Sequence, residues 1–317
     1  MQTKKLLLKN NESGQIALLV LLFLTIALTV GLSVVSRTIT EIRVATDTER
    51  SSQAYAAAEA GIERALSAQL EVGDEGNLDL SAGNASYKIT QLSSQNSDGS
   101  AFGFPTPINK DEATQLWLFD YTDFIDGNLS GFFMEGRTNH TIRAYWGNPA
   151  KLSPTNDSTW PALEVTFITA DVSGNSLSNF NIEKYAFDPS TRKTQNNFIF
   201  GGGGLTASSD PTNGFPVTVS NLNQTKQLSF LHDIPLTRSG SKQYLLMRTK
   251  LLYNNTAAHD VVIDPNGASL PAQGRIIDSE GRSENVVRKL RVYQSYPTLP
   301  GIFDFVLFNG SDNPLTK

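Results

Sequence analysis

The residues that could support catalysis in this 317-residue chain are three histidines and scattered serines. His140, His232 and His259 lie far apart and form no HExxH or comparable metal-ligand spacing, which predicts ordinary loop or strand histidines. No GxSxG elbow is present, and Ser239-Gly240-Ser241-Lys242 lacks the companion motifs of a serine–lysine nucleophile. A triad assembled in space stays open, because its members need not be neighbours in sequence. The motifs favour a protein that is not an enzyme and has no cofactor.

Acidic and aromatic residues offer two further kinds of site. Calcium ligands could come from two groups: Asp120, Asp123 and Asp126, and Asp260, Asp264 and Asn266. Neither group has the DxDxDG order of an EF-hand, and Asp or Asn before Gly also forms turns by itself, so calcium and structural turns are both open. The tryptophans Trp117, Trp146 and Trp160 suit either a carbohydrate or adhesive surface or the core of a β-rich domain.

Bulk composition excludes some classes of partner and chemistry. The formal net charge of -5 and the pI near 5.3 disfavour nucleic acid as the main partner, because phosphate binding needs clustered Lys and Arg. The chain has no cysteine, which excludes disulfides, thiolate metal sites and a cysteine nucleophile.

An uncharged apolar segment occupies residues 15–36 and predicts a transmembrane helix, because about 20 apolar residues span a bilayer core. Lys4, Lys5 and Lys9 precede it, which predicts a cytoplasmic N-terminus and an extracellular remainder. A cleaved secretory signal is the alternative, with a cut near Gly31-Leu32-Ser33. The apolar region of a secretory signal peptide is normally only about 7–15 residues long, which is shorter than the segment at residues 15–36.

Residues 37–72 contain no proline and are rich in Ala, Glu and Arg, which predicts that the helix continues as an amphipathic stalk. Apolar residues at helical spacing predict one buried stripe: Ile39, Ile42 and Ala45, then Tyr55, Ala58, Ile62, Ala65 and Leu66. The cluster of glycine and acid in residues 73–77 predicts the helix end and a loop. Together, the apolar segment and the stalk are predicted to form one helix of about 55 residues, on the order of 80 Å long.

Three features occur in order along the first 70 residues: Lys4-Lys5 ahead of Ser13-Gly14-Gln15, then the uncharged run, then an alanine-rich helix with Ala57-Ala58-Glu59-Ala60-Gly61-Ile62-Glu63. In this order they resemble the N-terminus of type IV prepilins, especially PilX-type minor pilins. It implies that residues 1–14 are a leader, that a prepilin peptidase cuts between Gly14 and Gln15, and that the new amine on Gln15 is methylated.

The same resemblance assigns roles along the helix. Leu19 stands at the fifth mature position, where most major pilins have glutamate, which suggests a minor or tip subunit. Gly31 has two interpretations, a point where the helix stretches on assembly or a small residue at a helix–helix contact. The helix stripe, including Tyr55, Ala58, Glu59, Ile62 and Leu66, would pack against other pilin subunits.

Residues 78–317 change to short runs rich in aromatic and β-branched residues, which predicts a β-rich, mainly antiparallel head and therefore an α+β protein. The predicted strands are residues 86–91, 116–121, 141–146, 163–169, 182–187, 197–200, 243–253, 272–278, 286–294 and 302–308. Residues 93–107 and 201–213 are predicted to be exposed loops that can divide the head into two lobes.

Two hypotheses follow for function. The first is a minor type IV pilin or pseudopilin, with the membrane, other pilin subunits, a prepilin peptidase and the assembly platform of a pilus or type II secretion system as partners. The second is an extracellular enzyme or a carbohydrate-binding or adhesive domain held by an uncleaved signal anchor. Both place the head outside the cell.

Overall fold

The computed structural model describes residues 12–68, 70–81, 83–91, 101–198 and 211–300. Helices in these ranges are α1 (Glu12–Ser67), α2 (Tyr121–Ile125) and α3 (Lys193–Asn196). The first seven strands are β1 (Glu75–Leu80), β2 (Gly83–Gln91), β3 (Phe102–Gly103), β4 (Ala113–Trp117), β5 (Asn139–Trp146), β6 (Ala162–Ser173) and β7 (Ser176–Phe187). The others are β8 (Phe215–Val219), β9 (Gln224–Leu228), β10 (Phe230–Thr237), β11 (Lys242–Leu252), β12 (Val261–Asp264), β13 (Gly274–Ser283) and β14 (Val286–Ser295).

Helix α1 is continuous over 56 residues, as the uninterrupted helix-forming sequence predicts. It ends at Ser67, before the predicted limit at residue 72. A tight turn follows, in which the Asp74 carboxylate accepts the Glu71 backbone N–H at 2.7 Å and Gly73 adopts a φ of 99°. Strand β1 then begins at Glu75, inside the stretch predicted to be a loop.

The chain forms two compact units. The first contains α1 with Glu75–Lys88 and Asp278–Leu290, and its sheet has the strand order β1-β2-β13-β14. Strands β1 and β2 pair in antiparallel register, with Gly76 opposite Tyr87. The C-terminal part of α1 is buried along one side in this unit, whereas its earlier turns are exposed.

The second unit contains Ile89–Ile277 with two flanking segments, and it is built from two four-stranded sheets. Their strand orders are β10-β5-β12-β3 and β4-β11-β6-β7, and the hairpin β8-β9 lies beside them. The pairs β5–β10, β5–β12, β4–β11, β6–β11 and β6–β7 are all antiparallel. One core joins side chains of both sheets, among them Trp146, Phe167, Phe230, Met247 and Ile263. The predicted α+β class with a β-rich head is therefore confirmed.

Alternation of side chains produces this core. In β6 the buried residues Leu163, Val165 and Phe167 alternate with half-buried Glu164 and Thr166, the period of two that a strand imposes. Predicted strands 141–146, 163–169, 182–187 and 286–294 fall within β5, β6, β7 and β14. The predicted strand 243–253 matches β11 except for residue 253, which lies just after the strand.

Several predicted segments need correction. Strand 116–121 ends at Trp117 in β4, because Asp120 caps α2 by accepting the N–H groups of Thr122 and Asp123. Residues 197–198 are not in a strand, since Asn197 is left-handed after α3. Residues 199–200 and the predicted strand 302–308 lie outside the described residues.

The two predicted loops do not organise the head as expected. Within residues 93–107, the described part includes β3, and Phe102 and Phe104 are buried. Strands before and after residues 201–213 share sheets, since β5 pairs with β10 and β6 pairs with β11. Residues 201–213 therefore do not divide the head into lobes.

Candidate membrane anchor and assembly surface

The first half of α1 presents apolar side chains in every direction. Large apolar residues from Ile16 to Val35 are 46–72% exposed, and no charge interrupts them. Twenty residues of helix are about 30 Å long, the thickness of a bilayer core. By length and composition α1 can cross a membrane, and the described residues contain one helix of this kind.

The two threonine hydroxyl groups within this apolar segment are satisfied by the helix itself. Thr25 Oγ1 donates to the Leu22 carbonyl at 2.8 Å, and Thr29 Oγ1 donates to the Ile26 carbonyl at 2.8 Å. A polar group left unpaired in hydrocarbon costs several kcal/mol, and this back-bonding removes that cost. The two threonines are therefore compatible with a lipid environment.

Residues 37–49, which we call the neck, continue α1 beyond the uncharged segment. Arg37 and Glu41 form an exposed ion pair at 2.9 Å. Between and beyond these charges, Ile39, Ile42 and Val44 are 47%, 61% and 60% exposed. The neck thus combines a charged, water-compatible surface with apolar side chains that the described residues of the first unit do not cover.

Beyond the neck, α1 packs on its sheet through small residues, which we call the small-residue seam. On the helix the seam consists of Ala54, Ala57, Ala58, Gly61 and Ala65, all buried. On the sheet it consists of Ala85, Ser279 and Gly281, of which Gly281 approaches the α1 backbone most closely. A methyl group added at Gly281 would lie 3.0 Å from the Ala58 Cα and closer still to the Ala54 carbonyl oxygen.

Polar contacts border the seam. The Arg50 guanidinium pairs with the Glu284 carboxylate at 2.6 Å. Arg288 donates two hydrogen bonds to Ser51 Oγ, at 3.0 and 2.6 Å, and Ser283 Oγ donates to the Gln53 side chain at 2.8 Å. Exposed contacts of this kind contribute little stability individually. They do fix the rotation of α1 on the sheet, because each requires a particular side of the helix.

The predicted assembly residues divide between buried and exposed positions. Tyr55 and Leu66 are 47% and 39% exposed, and Glu59 is also exposed. Ala58 and Ile62 are 0% and 8% exposed, which corrects their prediction as a surface for other subunits. The prediction failed because periodicity identifies a stripe without identifying the partner, and here the partner is the chain's own sheet.

The remaining predicted positions lie near the start of α1. Leu19 is 46% exposed, and Gly31 has open space around its Cα. Gly14 and Gln15 are in the first turn of α1. Lys4, Lys5 and most of the predicted leader lie outside the described residues.

The sheet half of the seam was missed by sequence reasoning. Ser279, Gly281 and Ser283 alternate along β13, so they share one face and leave room for a helix backbone. This alternation of small residues in a strand was the available signal.

The three histidines of the head do not come together as a site. His140 Nε2 donates to the Pro265 carbonyl at 2.7 Å. His232 is buried, and desolvation lowers its pKa despite the neighbouring Asp233. His259 is fully buried and accepts the Asn148 N–H on Nδ1 at 3.0 Å, and burial lowers its pKa to about 4. Within the described ranges, no group of three or more His, Asp or Glu could hold a metal ion.

The acidic groups form turns and ion pairs instead. Asp120 caps α2, the Asp264 carboxylate accepts the Asn266 N–H at 2.8 Å, and Asp260 pairs with Lys226 at 2.5 Å. These bonds give Asp120, Asp260 and Asp264 structural roles.

The tryptophans belong to the interior. Trp146 is fully buried, Trp160 packs against the same core, and Trp117 is half-buried against Phe119 and Tyr121. The indole N–H groups of Trp146 and Trp160 donate to the carbonyls of Pro161 and Ser153, both at 2.8 Å. The core interpretation of these side chains agrees with their burial.

Sequence reasoning missed one polar network in the head. Its one local signal is the spacing of four residues between Asp188 and Arg192. Asp188 is completely buried and accepts hydrogen bonds from the Ser190 N–H, the Asn196 amide and the Arg192 guanidinium. Arg192 also donates to the Trp160 carbonyl at 2.7 Å and lies 4.3 Å from the centre of the Tyr253 ring. Because every group is paired, the network stabilises the chain that follows β7.

No family model, curated protein or solved structure matches the chain. Function must therefore be argued from the helix and the head themselves.

Proposed function

We propose that this chain is a membrane-anchored subunit of the type IV pilin class, a minor pilin or pseudopilin. The observation that carries the proposal is the continuous helix α1. Its first half is apolar and exposed all round, and its last turns are fixed on the β-sheet of the same unit. A subunit that assembles by packing membrane-derived helices side by side needs this continuity, because the helix must carry the head with it.

The neck supports assembly over simple anchoring. A signal anchor needs only the lipid-spanning part of a helix. Here Ile39, Ile42 and Val44 lie beyond the uncharged segment, among charged residues, and the described part of the first unit does not cover them. Packing against helices of other subunits would remove this apolar surface from water, at about 25 cal/mol per Å².

The direction of insertion follows from the flanking charges. The lysines before the apolar segment favour a cytoplasmic N-terminus, so the head would be displayed outside the cell. In this proposal a prepilin peptidase cuts after Gly14, the amine of Gln15 is methylated, and the assembly platform of a pilus or type II secretion system takes up the subunit. Leu19 at the fifth mature position favours a minor or tip subunit, and the head acts by binding.

The test is the N-terminal mass of the mature protein, isolated from membranes of cells that contain a prepilin peptidase. We expect the wild-type chain to begin at Gln15 and Gly14→Ala to retain the leader. Gly31→Ala is the matched control, since it changes another glycine of the same helix where the added methyl group meets no atom. An intact leader in the wild type would refute the proposal and favour a signal-anchored enzyme or binding domain, and a cut near Ser33 would indicate a secreted protein.

A further inference from the structure

The described part of the head contains six copies of the motif Asn-x-Ser/Thr, in which the middle residue is not proline. The copies begin at Asn84, Asn128, Asn139, Asn156, Asn223 and Asn254. In exported proteins this motif accepts N-linked sugar on the side-chain amide nitrogen of the asparagine. Of the 24 asparagines in the chain, eight begin such a motif, whereas its content of Ser and Thr would give about four by chance. Frequency alone therefore does not assign the sites, and the accessibility of each amide decides between them.

Accessibility separates the first five asparagines from the sixth. All five are exposed, and their side-chain amide nitrogens donate no hydrogen bond to another described residue. Asn254 is only 2% exposed, and its amide nitrogen donates to the carbonyls of Ile108 and Ala257 at 3.4 and 3.2 Å. The nitrogen that would carry the sugar is thus accessible in five motifs and enclosed in the sixth.

Three of the five exposed motifs begin in turns, outside regular strands. Asn128 follows α2, and its side-chain oxygen accepts the amide of Asn175 at 3.4 Å. Asn156 precedes a short 3-10 helix, and its side-chain oxygen accepts the Ser158 N–H at 3.2 Å and the Ser158 hydroxyl at 2.5 Å. Asn223 has a φ of 50° in the turn just before β9. In each case the hydrogen bonds leave the amide nitrogen free, so a transferase can reach it.

The other two exposed motifs begin within paired strands. Asn84 lies in β2 opposite Asp79, and Asn139 is the first residue of β5, opposite Thr237. Pairing with a neighbouring strand holds these motifs extended, whereas turns on the surface adapt more easily to another protein. The three turn motifs are therefore the stronger acceptors.

We propose that Asn128, Asn156 and Asn223 are sites of N-linked glycosylation. The donor is a sugar attached through phosphate to a membrane lipid. The amide nitrogen of the asparagine forms a bond to the first carbon of the sugar, the bond from that carbon to the phosphate oxygen breaks, and the nitrogen loses one proton. The inference rests on the part of the proposed function that displays the head outside the cell, and not on leader processing or assembly.

Peptide mass spectrometry of the full-length protein, isolated from the membranes of its own cells, tests the proposal. Cleavage after lysine and arginine leaves each of the six motifs in a separate peptide. We expect sugar on the asparagine of the three turn motifs. Asn254 is the control for burial, and Asn181 is the control for the motif, because it is exposed but is followed two residues later by Glu183. Both controls should be unmodified, and sugar on either would overturn the assignment from motif and accessibility.

Two substitutions at Thr225 separate this modification from any other in the same peptide. Both change one exposed side chain, but only Thr225→Ala removes the motif that begins at Asn223. The sugar on Asn223 should be lost in Thr225→Ala and retained in Thr225→Ser. Sugar that persists in Thr225→Ala, or that is attached to serine or threonine in place of asparagine, would overturn the proposal.

Unmodified asparagines in all three turn motifs would also overturn it. The N-terminal mass of the same preparation keeps this result separate from the proposed function. A chain that begins at Gln15 and carries no sugar would refute glycosylation alone. A chain that retains its leader and carries sugar on the turn motifs would refute pilin processing alone.

Discussion

Gly281→Ala tests whether the small-residue seam fixes α1 on its sheet. Gly281 has no positive φ, so alanine suits its backbone and the cost is steric alone. The added methyl group would meet the Ala54 carbonyl oxygen, the Ala58 nitrogen and, at 3.0 Å, the Ala58 Cα. All three are backbone atoms that cannot rotate away. Since carbon atoms prefer about 3.5–4.0 Å, strand and helix must separate, and overpacking of this kind typically costs about 1–3 kcal/mol.

Gly61→Ala provides the comparison. Its methyl group would meet the Ser279 side chain, with the Ser279 Cβ at 3.2 Å, and a hydroxyl can rotate. Alanine also raises helix propensity by about 1 kcal/mol relative to glycine. We therefore expect Gly61→Ala to be nearly neutral, and Gly61→Ala with Ser279→Ala to be stabilising.

Hydrogen–deuterium exchange of the α1 amides from residue 50 onward measures the effect locally, without assuming that the two units unfold together. A loss of about 2 kcal/mol corresponds to exchange about 30-fold faster in Gly281→Ala. Gly31→Ala is the control and should leave these amides unchanged. Exchange within threefold of wild type in Gly281→Ala would refute the close packing of β13 on α1.

Three further predictions concern the head and the exposed helix face. The stability of the head should fall as the pH drops from about 6.5 towards 4, because His259 has a folded pKa of about 4 and the unfolded chain takes up the proton first. The loss from His259 is about 3 kcal/mol in urea unfolding. His259→Gln should reduce this dependence, and the lowered pKa of His232 should leave a smaller one of the same sign. Arg192→Ala should lower the stability of the head by about 3–5 kcal/mol, because it leaves the buried Asp188 carboxylate without its cation. Lys184→Ala removes an exposed pair and should cost at most about 1 kcal/mol. Equal melting temperatures of the two variants would contradict the argument. Tyr55→Ser should leave the head folded, because Tyr55 is half exposed, but should reduce recovery of the protein in sheared filaments; unchanged recovery would exclude this face from assembly.

The sequence predicts α1 well because its signals are local. Charge-free length defines the lipid-spanning half, and helix formers without proline define the stalk. Which stalk residues are buried depends on tertiary packing. The apolar pattern alone placed Tyr55 and Leu66 in the same buried stripe as Ala58, although both are exposed in the structure. In the structure, large apolar residues are at the border of the contact and the smallest residues are at its centre, because a helix backbone lies directly on a strand backbone at Gly281.

The head shows the complementary limit. Strands with clear alternation, such as β6, were predicted, whereas β3, β8, β9 and β12 are only two to five residues long and carry too little periodicity to detect. Strands β1 and β10 were also missed, although they are six and eight residues long. Capping by Asp120 ended β4 earlier than its aromatic sequence suggests. The buried Asp188 and Arg192 network depends on residues from several segments, which no local pattern can bring together.

The fixed rotation of α1 restricts where a partner helix can bind. The sheet occupies the side with Ala54, Ala58 and Ala65, so that side is closed to other subunits. Val44, Tyr55 and Leu66 are exposed and are spaced by eleven residues, which is about three helical turns, so they form a nearly straight line from the neck to the end of the helix. Glu59 lies about 40° from Tyr55 around the axis and borders this line. Because the line begins in the neck and continues past the small-residue seam, one partner helix can cover both regions without displacing the sheet.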